Sequence, residues 1–541
     1  MIIDQFYYEI DKNNFYLGMV SQVYKDSCVI QTENLTWLNE RTIKGELLAP
    51  NTINYYVVID SIEGIFIGEV YQSKIFSSQN THVALKNDCS ENIFPELYVN
   101  IIGILSPGQK QFATQGFKSV GLMDRVYIAN NVIKKKFLQS VQLERLDSSS
   151  LQEKLDSFAR AANLGGEEVL LYPETLFDRH LIAIGTTNSG KSTTALSILD
   201  KLILSGKKIL IIDPTGEYSE AFKVEEGFIP LTLGINTVLD PGKVSFSQWA
   251  TLFETNDASQ PAILADGITS LRYQEKHGKQ CVYVKENRLI TDVKRQLESL
   301  TENDLGFDLS LLSDQISEEA VEADRSMKNY VKSSFQFNNK QWLIQKIEYK
   351  LKNIHLLDFF SMSDQKYDLL EELNKFMKND TKNLYINASK IGIGDGIGSM
   401  IVDLVSNFII NEKKQDDIAF VMFIDEVHRY SKDVQLGGYQ TGLTSIAREG
   451  RKKGIFLFLT TQNPNDVPIE LLGQIGSLMI HRLTHRNELE SVRNFLDDST
   501  FKQIPKLNQG EAIFTSINLL RDLHLQVVKC NRQHFNKTTK L

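Results

Sequence analysis

The chain has 541 residues, of which 42% are hydrophobic, and a formal net charge of −9 at neutral pH. This length and apolar share predict two to four domains, each with its own core. The acidic balance argues against a globally basic coat for nucleic acid, although a local basic channel stays compatible with it.

Cysteine usage and the first residues bear on the compartment. The cysteines include no C-x-x-C pair, which argues against a structural zinc or a disulfide framework and for a reducing compartment. They are Cys28, Cys89, Cys281 and Cys530. The chain does not open on a basic segment followed by an apolar one, and no apolar run approaches membrane-spanning length. We therefore expect a cytoplasmic protein.

Residues 1–147 predict a small antiparallel β-barrel. Short β-branched and aromatic runs, such as Tyr55–Ile59 and Ile65–Val70, are separated by turn residues, here Glu63-Gly64. This texture is typical of closed all-β domains.

A strand, a glycine-rich turn and a helix follow. The apolar run Leu181–Ile184 predicts a buried strand, and Thr194–Leu204 predicts a helix. Between them stands the pattern G-x-x-x-x-G-K-S, a phosphate-binding loop (P-loop). Gly185 and Gly190 allow a turn tight enough for backbone N–H groups to surround phosphate oxygens.

The P-loop predicts a nucleoside triphosphate site with a magnesium ion. Lys191 can reach the β- and γ-phosphates, and the Ser192 hydroxyl can ligate Mg²⁺. The residues expected to hold the nucleotide, ATP, are Gly185, Thr186, Thr187, Asn188, Ser189, Gly190, Lys191, Ser192 and Thr193.

The next apolar run, Lys208–Asp213, completes a strand-helix-strand unit of a doubly wound parallel sheet. Asp213 should therefore lie at the carboxyl end of a strand, where ligands bind in such sheets. Asp213 and Glu217 could address water or metal. Equally, they could only orient the turn at residues 214–216.

About 210 residues separate Asp213 from Asp425, far more than a minimal nucleotide-binding core needs. Charged helical stretches such as Lys340–Ile347 predict a helical insertion subdomain over residues 245–379. The core would then comprise residues 148–244 and 380–530, with a tail at 531–541.

Residues 418–426 predict the second half of the site. The unbroken apolar run Ile418–Ile424 is typical of a strand buried on both faces of a parallel sheet, and it ends in Asp425-Glu426, a Walker B pattern. Asp425 would hold Mg²⁺ through water, and Glu426 could orient and polarise the attacking water. This pair favours hydrolysis over binding alone.

A third apolar run, Gly454–Gln462, predicts a neighbouring strand. Gln462 at its end could sense the γ-phosphate, or it could simply be a glutamine at a strand edge.

Two arginines are candidates for contact with phosphate. The segment Arg448–Lys453 precedes the Gly454–Gln462 run, so we expect it near the catalytic edge of the sheet, where Arg451 could reach a phosphate of its own or a neighbouring subunit. Arg179 lies at the opposite end of the P-loop strand and suits an arginine finger given to the next subunit. The alternative for each is an ordinary surface charge.

These motifs together resemble the HerA family. The resemblance covers residues 165–530, and its motifs are Arg179-His180, Asp213–Tyr218 (DPTGEY), Asp425–Tyr430 (DEVHRY), Ile446–Gly454 (IAREGRKKG), Thr461–Pro464 (TQNP), His481–Leu483 (HRL) and Gly510–Ala512 (GEA). The segment Thr187-Asn188-Ser189 departs from the Thr-Gly-Ser common in the family.

The resemblance implies an α/β RecA-like P-loop core with a predominantly parallel sheet, an N-terminal antiparallel β-barrel and a helical insertion. HerA-like proteins are hexameric ATPases of the FtsK/HerA branch that thread double-stranded DNA through a central pore. The resemblance further implies that the catalytic groups are Lys191, Glu426, Arg179, Arg451 and Gln462, with Ser192 and Asp425 at the metal.

The family resemblance also implies a separate effector protein. HerA-like proteins work beside a nuclease or a sirtuin-type NADase, and we expect such a partner to dock on the barrel. Two functions remain open: a motor that moves along DNA, with the glycine-containing loop Val434–Thr444 facing its pore, or a nucleotide-gated scaffold that assembles an effector. A secretion-type ATPase is a more distant alternative.

Overall fold

The structure is a computed structural model, and its contacts divide the chain into two compact units. The first unit comprises Met1–Asp178, Gly185–Lys201 and Gly476–Cys530, and the second comprises Arg179–Ile184, Leu202–Ile475 and Asn531–Leu541. The residues described are all except 1, 8, 34, 44, 49–51, 76–81, 84–85, 88–93, 143–154, 163, 165, 257–258, 379–382, 392–394, 431–440 and 533–541.

The first unit contains a closed antiparallel β-barrel. Its strands, in spatial order, are Tyr16–Val23, Ser27–Thr32, Glu96–Leu105, Gly64–Lys74, Tyr56–Ser61 and Arg125–Ile128. A two-residue turn joins Ser61 to Gly64, whose φ of 138° and lack of a Cβ let it approach the Leu105 carbonyl. The predicted barrel is confirmed. Around it lie the helices and short strands Ile2–Gln5, Glu9–Phe15, Leu35–Leu38, Arg41–Ile43, Glu46–Leu48 and Asn131–Ser140.

Further antiparallel strands belong to this unit. Their order is Glu168–Val169, Ala159–Ala161, Leu523–Val527, Glu511–Ser516 and Ser477–Ile480. We call the pair Glu511–Ser516 and Leu523–Val527 the C-terminal hairpin. Arg521, between its strands, forms a buried ion pair with Glu69 of the barrel. The helices that accompany these strands are Pro173–Leu176, Arg486–Val492, Arg493–Phe495, Asp498–Phe501 and Ile504–Lys506.

The second unit is built on a parallel sheet. Its strands, in spatial order, are Leu181–Ile184, Ile455–Thr461, Phe420–Ile424, Lys208–Asp213, Asn383–Asn387 and Phe228–Thr232. We call Phe420–Ile424 the Walker B strand and Ile455–Thr461 the sensor strand. Every residue of the Walker B strand is buried, which explains why its sequence is apolar without alternation.

Helices alternate with these strands along the chain. The helix Lys191–Leu204 follows the P-loop, and Asp395–Glu412 leads toward the Walker B strand. Shorter helices are Val224–Glu226, Pro241–Lys243, Val427–Arg429, Gly442–Glu449, Gly450–Lys453, Pro464–Asp466 and Ile469–Leu472. The predicted pore-facing loop lies outside the described residues up to residue 440, and Thr441 caps the helix Gly442–Glu449.

The insertion is mainly helical, as predicted. Its helices are Phe246–Leu252, Gln260–Lys276, Ile290–Glu298, Leu309–Leu311, Leu312–Glu318, Ser334–Leu351, Ile354–Phe359 and Leu369–Met377. Two small sheets accompany them, Val321–Ala323 with Tyr330–Lys332 and Thr237–Val238 with Tyr367–Asp368. The fold class is confirmed, while the domain boundaries stay a prediction, because the contact-defined units join the barrel to parts of the core.

A buried polar network lies inside the insertion. Glu319 accepts hydrogen bonds from Ser270 Oγ at 2.5 Å and from Gln315 Nε2 at 2.9 Å, and its carboxylate pairs with Lys285. Lys340 donates to the Glu319 carbonyl. The carboxylate is therefore fully used by neighbours within the insertion.

In the part of the chain that the structure describes, no helix combines the length and the apolar character that crossing a bilayer requires.

Candidate nucleotide site

The P-loop, in the first unit, depends on the absence of two side chains. An ideal Cβ on Gly185 would lie 2.4 Å from Ser189 Oγ and 2.7 Å from His481 Cβ. Gly190 has a φ of 111°, and a Cβ there would lie 2.8 Å from the Gly510 nitrogen. Both glycines are therefore required by close approach, and Gly190 also by its left-handed backbone.

Hydrogen bonds fix the loop to the C-terminal part of the same unit. Thr186 Oγ1 donates to the Arg482 carbonyl at 3.1 Å, and the Gly510 N–H donates to the Ser189 carbonyl at 3.0 Å. Residues of the HRL and GEA motifs thus hold the P-loop in place through these hydrogen bonds, a role that their sequence alone did not indicate.

Asn188 occupies the position where the family commonly has glycine. Its φ is 62°, in the left-handed region that glycine adopts freely and that asparagine tolerates better than most other residues. The departure is therefore compatible with the loop conformation.

His481 packs beneath the loop as a neutral side chain. Its Nδ1 donates to the Glu511 carbonyl at 2.8 Å. Burial lowers the pKa of His481 to about 4, and the nearby positive charge of Lys191 acts in the same direction.

The loop residues fit a triphosphate. Lys191 and Ser192 open the helix Lys191–Leu204, whose N-terminus carries the positive end of the helix dipole and so favours a phosphate. The glycine cradle, formed by Gly185 and Gly190, lets the loop close tightly against Ser189, His481 and Gly510. Ser192 would supply a hydroxyl ligand to a bound Mg²⁺ ion.

The Walker B carboxylates lie in the second unit, at the carboxyl edge of its sheet. Asp425 follows the Walker B strand directly and is only 6% exposed. Thr460 of the sensor strand donates its hydroxyl proton to Asp425 Oδ1, and the same oxygen of Thr460 accepts the Glu426 N–H at 2.8 Å. Asp425 is suited to hold a hard cation such as Mg²⁺, because such ions take oxygen ligands and the sensor strand already orients its carboxylate.

The Glu426 carboxylate is hydrogen-bonded by one side chain and adjoined by a second. Gln462 Nε2 donates to Glu426 Oε1 at 2.7 Å, and His428 Nδ1 lies 3.3 Å from Oε2 and 3.2 Å from Thr461 Oγ1. Glu426 itself has φ 47° and ψ 48°, a left-handed conformation that is rare for glutamate. The structure thus brings Gln462 to the glutamate. Sequence reasoning missed Thr460 and His428; a hydroxyl within an otherwise apolar strand was the available signal.

Asp213 serves the turn that follows it. Its Oδ1 accepts from Thr215 N, Thr215 Oγ1 and Gly216 N at 2.7–3.1 Å. Its Oδ2 accepts from Tyr218 N at 2.9 Å and from Tyr385 Oη at 2.7 Å. With five donors on a fully buried carboxylate, the orienting role is the one that the structure supports, rather than a metal role.

Arg451 is not at the catalytic edge, and that expectation was wrong. Ile455 pairs with Phe420 at the amino ends of two parallel strands, so the segment before Ile455 lies at the edge opposite to Asp425 and Glu426. Arg179 precedes the strand Leu181–Ile184 and lies at this same amino edge. A segment that leads into a strand lies at the amino end of that strand. The position of Arg451 therefore follows from the direction of the sensor strand after it, and not from its closeness in sequence to the Walker B strand.

His180 ties the two arginine segments together. The Leu457 N–H donates to His180 Nδ1 at 2.9 Å, so Nε2 carries the proton and donates to the Ala447 carbonyl at 2.9 Å. Burial, together with the positive charges of Arg179 and Arg451, lowers the pKa of His180 to about 4. Both arginines are exposed.

A glycine cradle at a helix N-terminus and an oriented Asp-Glu pair after a parallel strand define a P-loop nucleoside triphosphatase. The family model for the central domain of helicase HerA matches residues 162–383, and that for the HerA-like helicase C-terminal domain matches residues 405–518, together more than half of the chain. The chain belongs to the HerA family.

Curated relatives agree with this assignment. A probable helicase of Methanocaldococcus jannaschii is 24% identical over 64% of this chain and 61% of its own length. A DNA double-strand break repair helicase HerA of Sulfolobus acidocaldarius is 24% identical over 62% of this chain and 62% of its own. The chain thus spans about three fifths of the length of these relatives.

Solved structures are more distant. The bacterial conjugative coupling protein TrwB is 14% identical with a TM-score of 0.47, over 74% of this chain and 94% of its own. VirB4 of Thermoanaerobacter pseudethanolicus is 12% identical with a TM-score of 0.47, over 70% of this chain and 98% of its own.

Proposed function

We propose that this chain is an ATP-hydrolysing, hexameric double-stranded DNA translocase of the HerA type that acts in the cytoplasm. The observation that carries the proposal is the Glu426 carboxylate, which Gln462 holds by a hydrogen bond and His428 adjoins, next in sequence to the buried Asp425. Nucleotide binding alone needs no second, oriented carboxylate, whereas hydrolysis needs one to direct water. Membership of a family whose curated members are named as helicases supports the same reading.

The chemistry follows from these groups. A water oxygen bonds to the γ-phosphorus while the bond from that phosphorus to the oxygen bridging the β-phosphate breaks. Glu426 orients this water and takes its proton, and ADP leaves with the bridging oxygen. Lys191 stabilises negative charge on the β- and γ-oxygens. A Mg²⁺ ion, held by Ser192 and through water by Asp425, supplies further neutralising charge when bound.

Arg179 and Arg451 are assigned to the nucleotide of a neighbouring subunit. Both side chains are exposed and lie at the sheet edge opposite to Asp425 and Glu426, which removes them from the Walker B carboxylates of their own sheet. A ring would place this edge against the next subunit. An arginine supplied in this way stabilises transition-state charge.

A separate effector, a nuclease or a sirtuin-type NADase, would dock on the barrel and give the motor a role in antiphage defence or DNA end processing. The barrel exposes Phe117, Leu122 and Met123 on the segment before its last strand, and such apolar side chains favour a protein contact.

The docking proposal is tested with full-length protein and the effector encoded beside it. The double variant Phe117→Asp, Leu122→Asp should lose the effector in co-purification and keep its ATPase rate. Phe337→Asp, an exposed aromatic of the insertion, is the matched control and should keep both. Undiminished recovery by the double variant would remove this surface from the proposal.

The second candidate is a nucleotide-gated scaffold that assembles and restrains an effector with little DNA movement. The net charge of −9 favours it, because a motor on duplex DNA needs positive side chains along its path.

One experiment separates the two functions. ATP hydrolysis is measured with and without long duplex DNA at two salt concentrations, with Glu426→Ala as the blank. Strong stimulation that weakens with salt supports the translocase, since phosphate contacts release counterions. Turnover that ignores DNA and changes when the effector is added supports the scaffold. Absence of hydrolysis above the blank would overturn both.

A further inference from the structure

Thr460 is the one residue of the sensor strand that bonds to both Walker B carboxylate residues in the described structure. Its side chain is fully buried, near the carboxyl end of the strand. Its hydroxyl donates to Asp425 Oδ1 and accepts the Glu426 N–H at 2.8 Å. One side chain therefore links the residue at the metal to the residue at the water.

The directions of these bonds are fixed by chemistry. A backbone N–H can only donate, so the hydroxyl oxygen must accept from Glu426, and its single proton is left for the Asp425 carboxylate. A valine would fill the same volume in the buried strand but could make neither bond. Packing thus explains a β-branched residue at position 460, and only the two hydrogen bonds explain a hydroxyl.

The Glu426 backbone needs such a bond. Its φ of 47° lies in the left-handed region, which is unfavourable for a residue with a Cβ. The bond from its N–H to Thr460 offsets part of that cost. The bond also fixes the backbone from which the Glu426 side chain extends. It therefore sets the position in which the carboxylate meets Gln462 and His428.

We propose that Thr460 is a positioning residue for ATP hydrolysis: its hydroxyl holds Asp425 and Glu426 in a fixed mutual arrangement and so aims the Glu426 carboxylate at the attacking water. Thr460 acts through these two residues and needs no contact with the nucleotide. The inference rests on the proposed hydrolytic function and adds to it a residue outside the P-loop and the acidic pair.

The test compares two substitutions. Thr460→Val keeps the shape and removes the hydroxyl, and Thr460→Ser keeps the hydroxyl. We expect Thr460→Val to lower kcat by about 10- to 100-fold with the KM for ATP changed less than about threefold, since misplacement of a catalytic group costs rate rather than binding. Thr460→Ser should stay within about threefold of wild type in both constants.

Thr237→Val is the matched control. Thr237 is also fully buried in a short strand, and its hydroxyl donates to Asn236 Oδ1 at 2.8 Å, away from the carboxylates. It reports the general effect of losing a buried threonine hydroxyl, and its kcat should equal that of wild type. Thermal unfolding and binding of a fluorescent ATP analogue show that each variant is folded and loaded.

A double-mutant cycle tests the route of action. In the Glu426→Gln background, Thr460→Val should lower the residual kcat by less than about threefold, because the carboxylate that it aims at the water is already disabled and only its bond to Asp425 is left to lose. Equal losses in both backgrounds would overturn the inference.

Other outcomes also decide. Wild-type kcat in Thr460→Val, or an equal fall in Thr460→Ser, would overturn the inference while wild-type hydrolysis upholds the proposed function. If the valine variant does not fold, Thr460→Cys, whose thiol is a weak donor and acceptor, is compared with Thr460→Ser, and equal kcat values would overturn it. A wild-type chain without hydrolysis above Glu426→Ala overturns the proposed function and this inference together.

Discussion

Two glycines with left-handed backbones, Gly190 and Gly206, differ in what surrounds them. An added Cβ on Gly190 meets the Gly510 backbone at 2.8 Å, whereas one on Gly206 meets nothing within 4 Å. Their φ values are 111° and 72°, so alanine is strained at both positions. Only at Gly190 does the strain coincide with a collision against backbone that supports the P-loop.

We expect Gly190→Ala to weaken ATP binding at least about tenfold, because the loop must move to admit the methyl group. Gly206→Ala should cost about 1 kcal/mol of stability and leave nucleotide affinity unchanged. Titration with a fluorescent ATP analogue measures both variants. Equal affinities would mean that the loop tolerates a Cβ at position 190.

Buried histidines make stability sensitive to mild acid. The pKa of both His180 and His481 is lowered from 6.5 to about 4 by burial, so below pH 6.5 the unfolded chain binds protons that the folded chain does not. Each histidine thus removes up to about 1.4 kcal/mol of stability per pH unit between 6.5 and 4. Burial raises the pKa of Asp522 to about 6, which has the opposite effect over pH 6 to 4.

The net expectation is a fall in the urea midpoint between pH 7 and pH 5. The variant Asp522→Asn removes the compensating carboxyl, so its midpoint should fall more steeply than that of wild type over the same interval. A midpoint that rises on acidification would contradict the assignment of neutral, buried imidazoles.

At the scale of elements, the insertion has its own internal weak point. Glu319 is buried between Lys285 and Lys340 and bonds to Ser270 and Gln315. Glu319→Gln leaves Lys285 without its counter-ion, and removing one partner of a buried pair costs about 3–5 kcal/mol.

The matched control is the preceding residue, Glu318. Glu318 pairs with Lys332 at 3.6 Å on the surface, so Glu318→Gln should cost less than about 1 kcal/mol. Limited proteolysis of the native chain measures both variants, with faster cleavage within residues 245–379 expected only for Glu319→Gln. Similar cleavage rates for the two variants would show that the buried network contributes little.

Many of the strands could be predicted, because a strand that is buried on both faces has a continuous run of apolar residues. The strands at 181–184, 208–213 and 455–461 follow this rule. The helix predicted over Thr194–Leu204 begins three residues earlier, at Lys191. The edge at which Arg451 lies could not be predicted from proximity in sequence, since it depends on which end of a parallel strand the segment enters. The bonds of Thr460 could not be predicted either, because Asp425 and Glu426 follow another strand, and the sequence signalled only a hydroxyl within an otherwise apolar run.

At the scale of the whole molecule, the assignment of Arg179 to a neighbouring subunit can be tested by mixing. Arg179→Ala and Lys191→Ala subunits should each be inactive alone, the first by at least about a thousandfold if Arg179 is a finger. In a random mixture about a quarter of the interfaces would combine an intact Lys191 with a neighbour's intact Arg179. ATPase assays of mixtures should then recover activity.

Recovery in the mixture requires that the arginine act between subunits. Activity that stays at the sum of the two inactive proteins would place Arg179 outside the reaction or confine it to its own subunit. The same design with Arg451→Ala in place of Arg179→Ala decides the role of the second arginine.

The C-terminal hairpin touches two places of the first unit. Just before its first strand, Gly510 donates to Ser189 of the P-loop, and between its strands Arg521 pairs with Glu69 of the barrel. The strand between these points, Glu511–Ser516, is about 20 Å long and cannot stretch. A partner that shifts the barrel therefore either breaks the Arg521–Glu69 pair or displaces Ser189. By reciprocity, nucleotide binding at the P-loop would change the affinity of the barrel for such a partner. The hairpin is thus a mechanical strut through which partner binding at the barrel and nucleotide binding at the P-loop can influence each other.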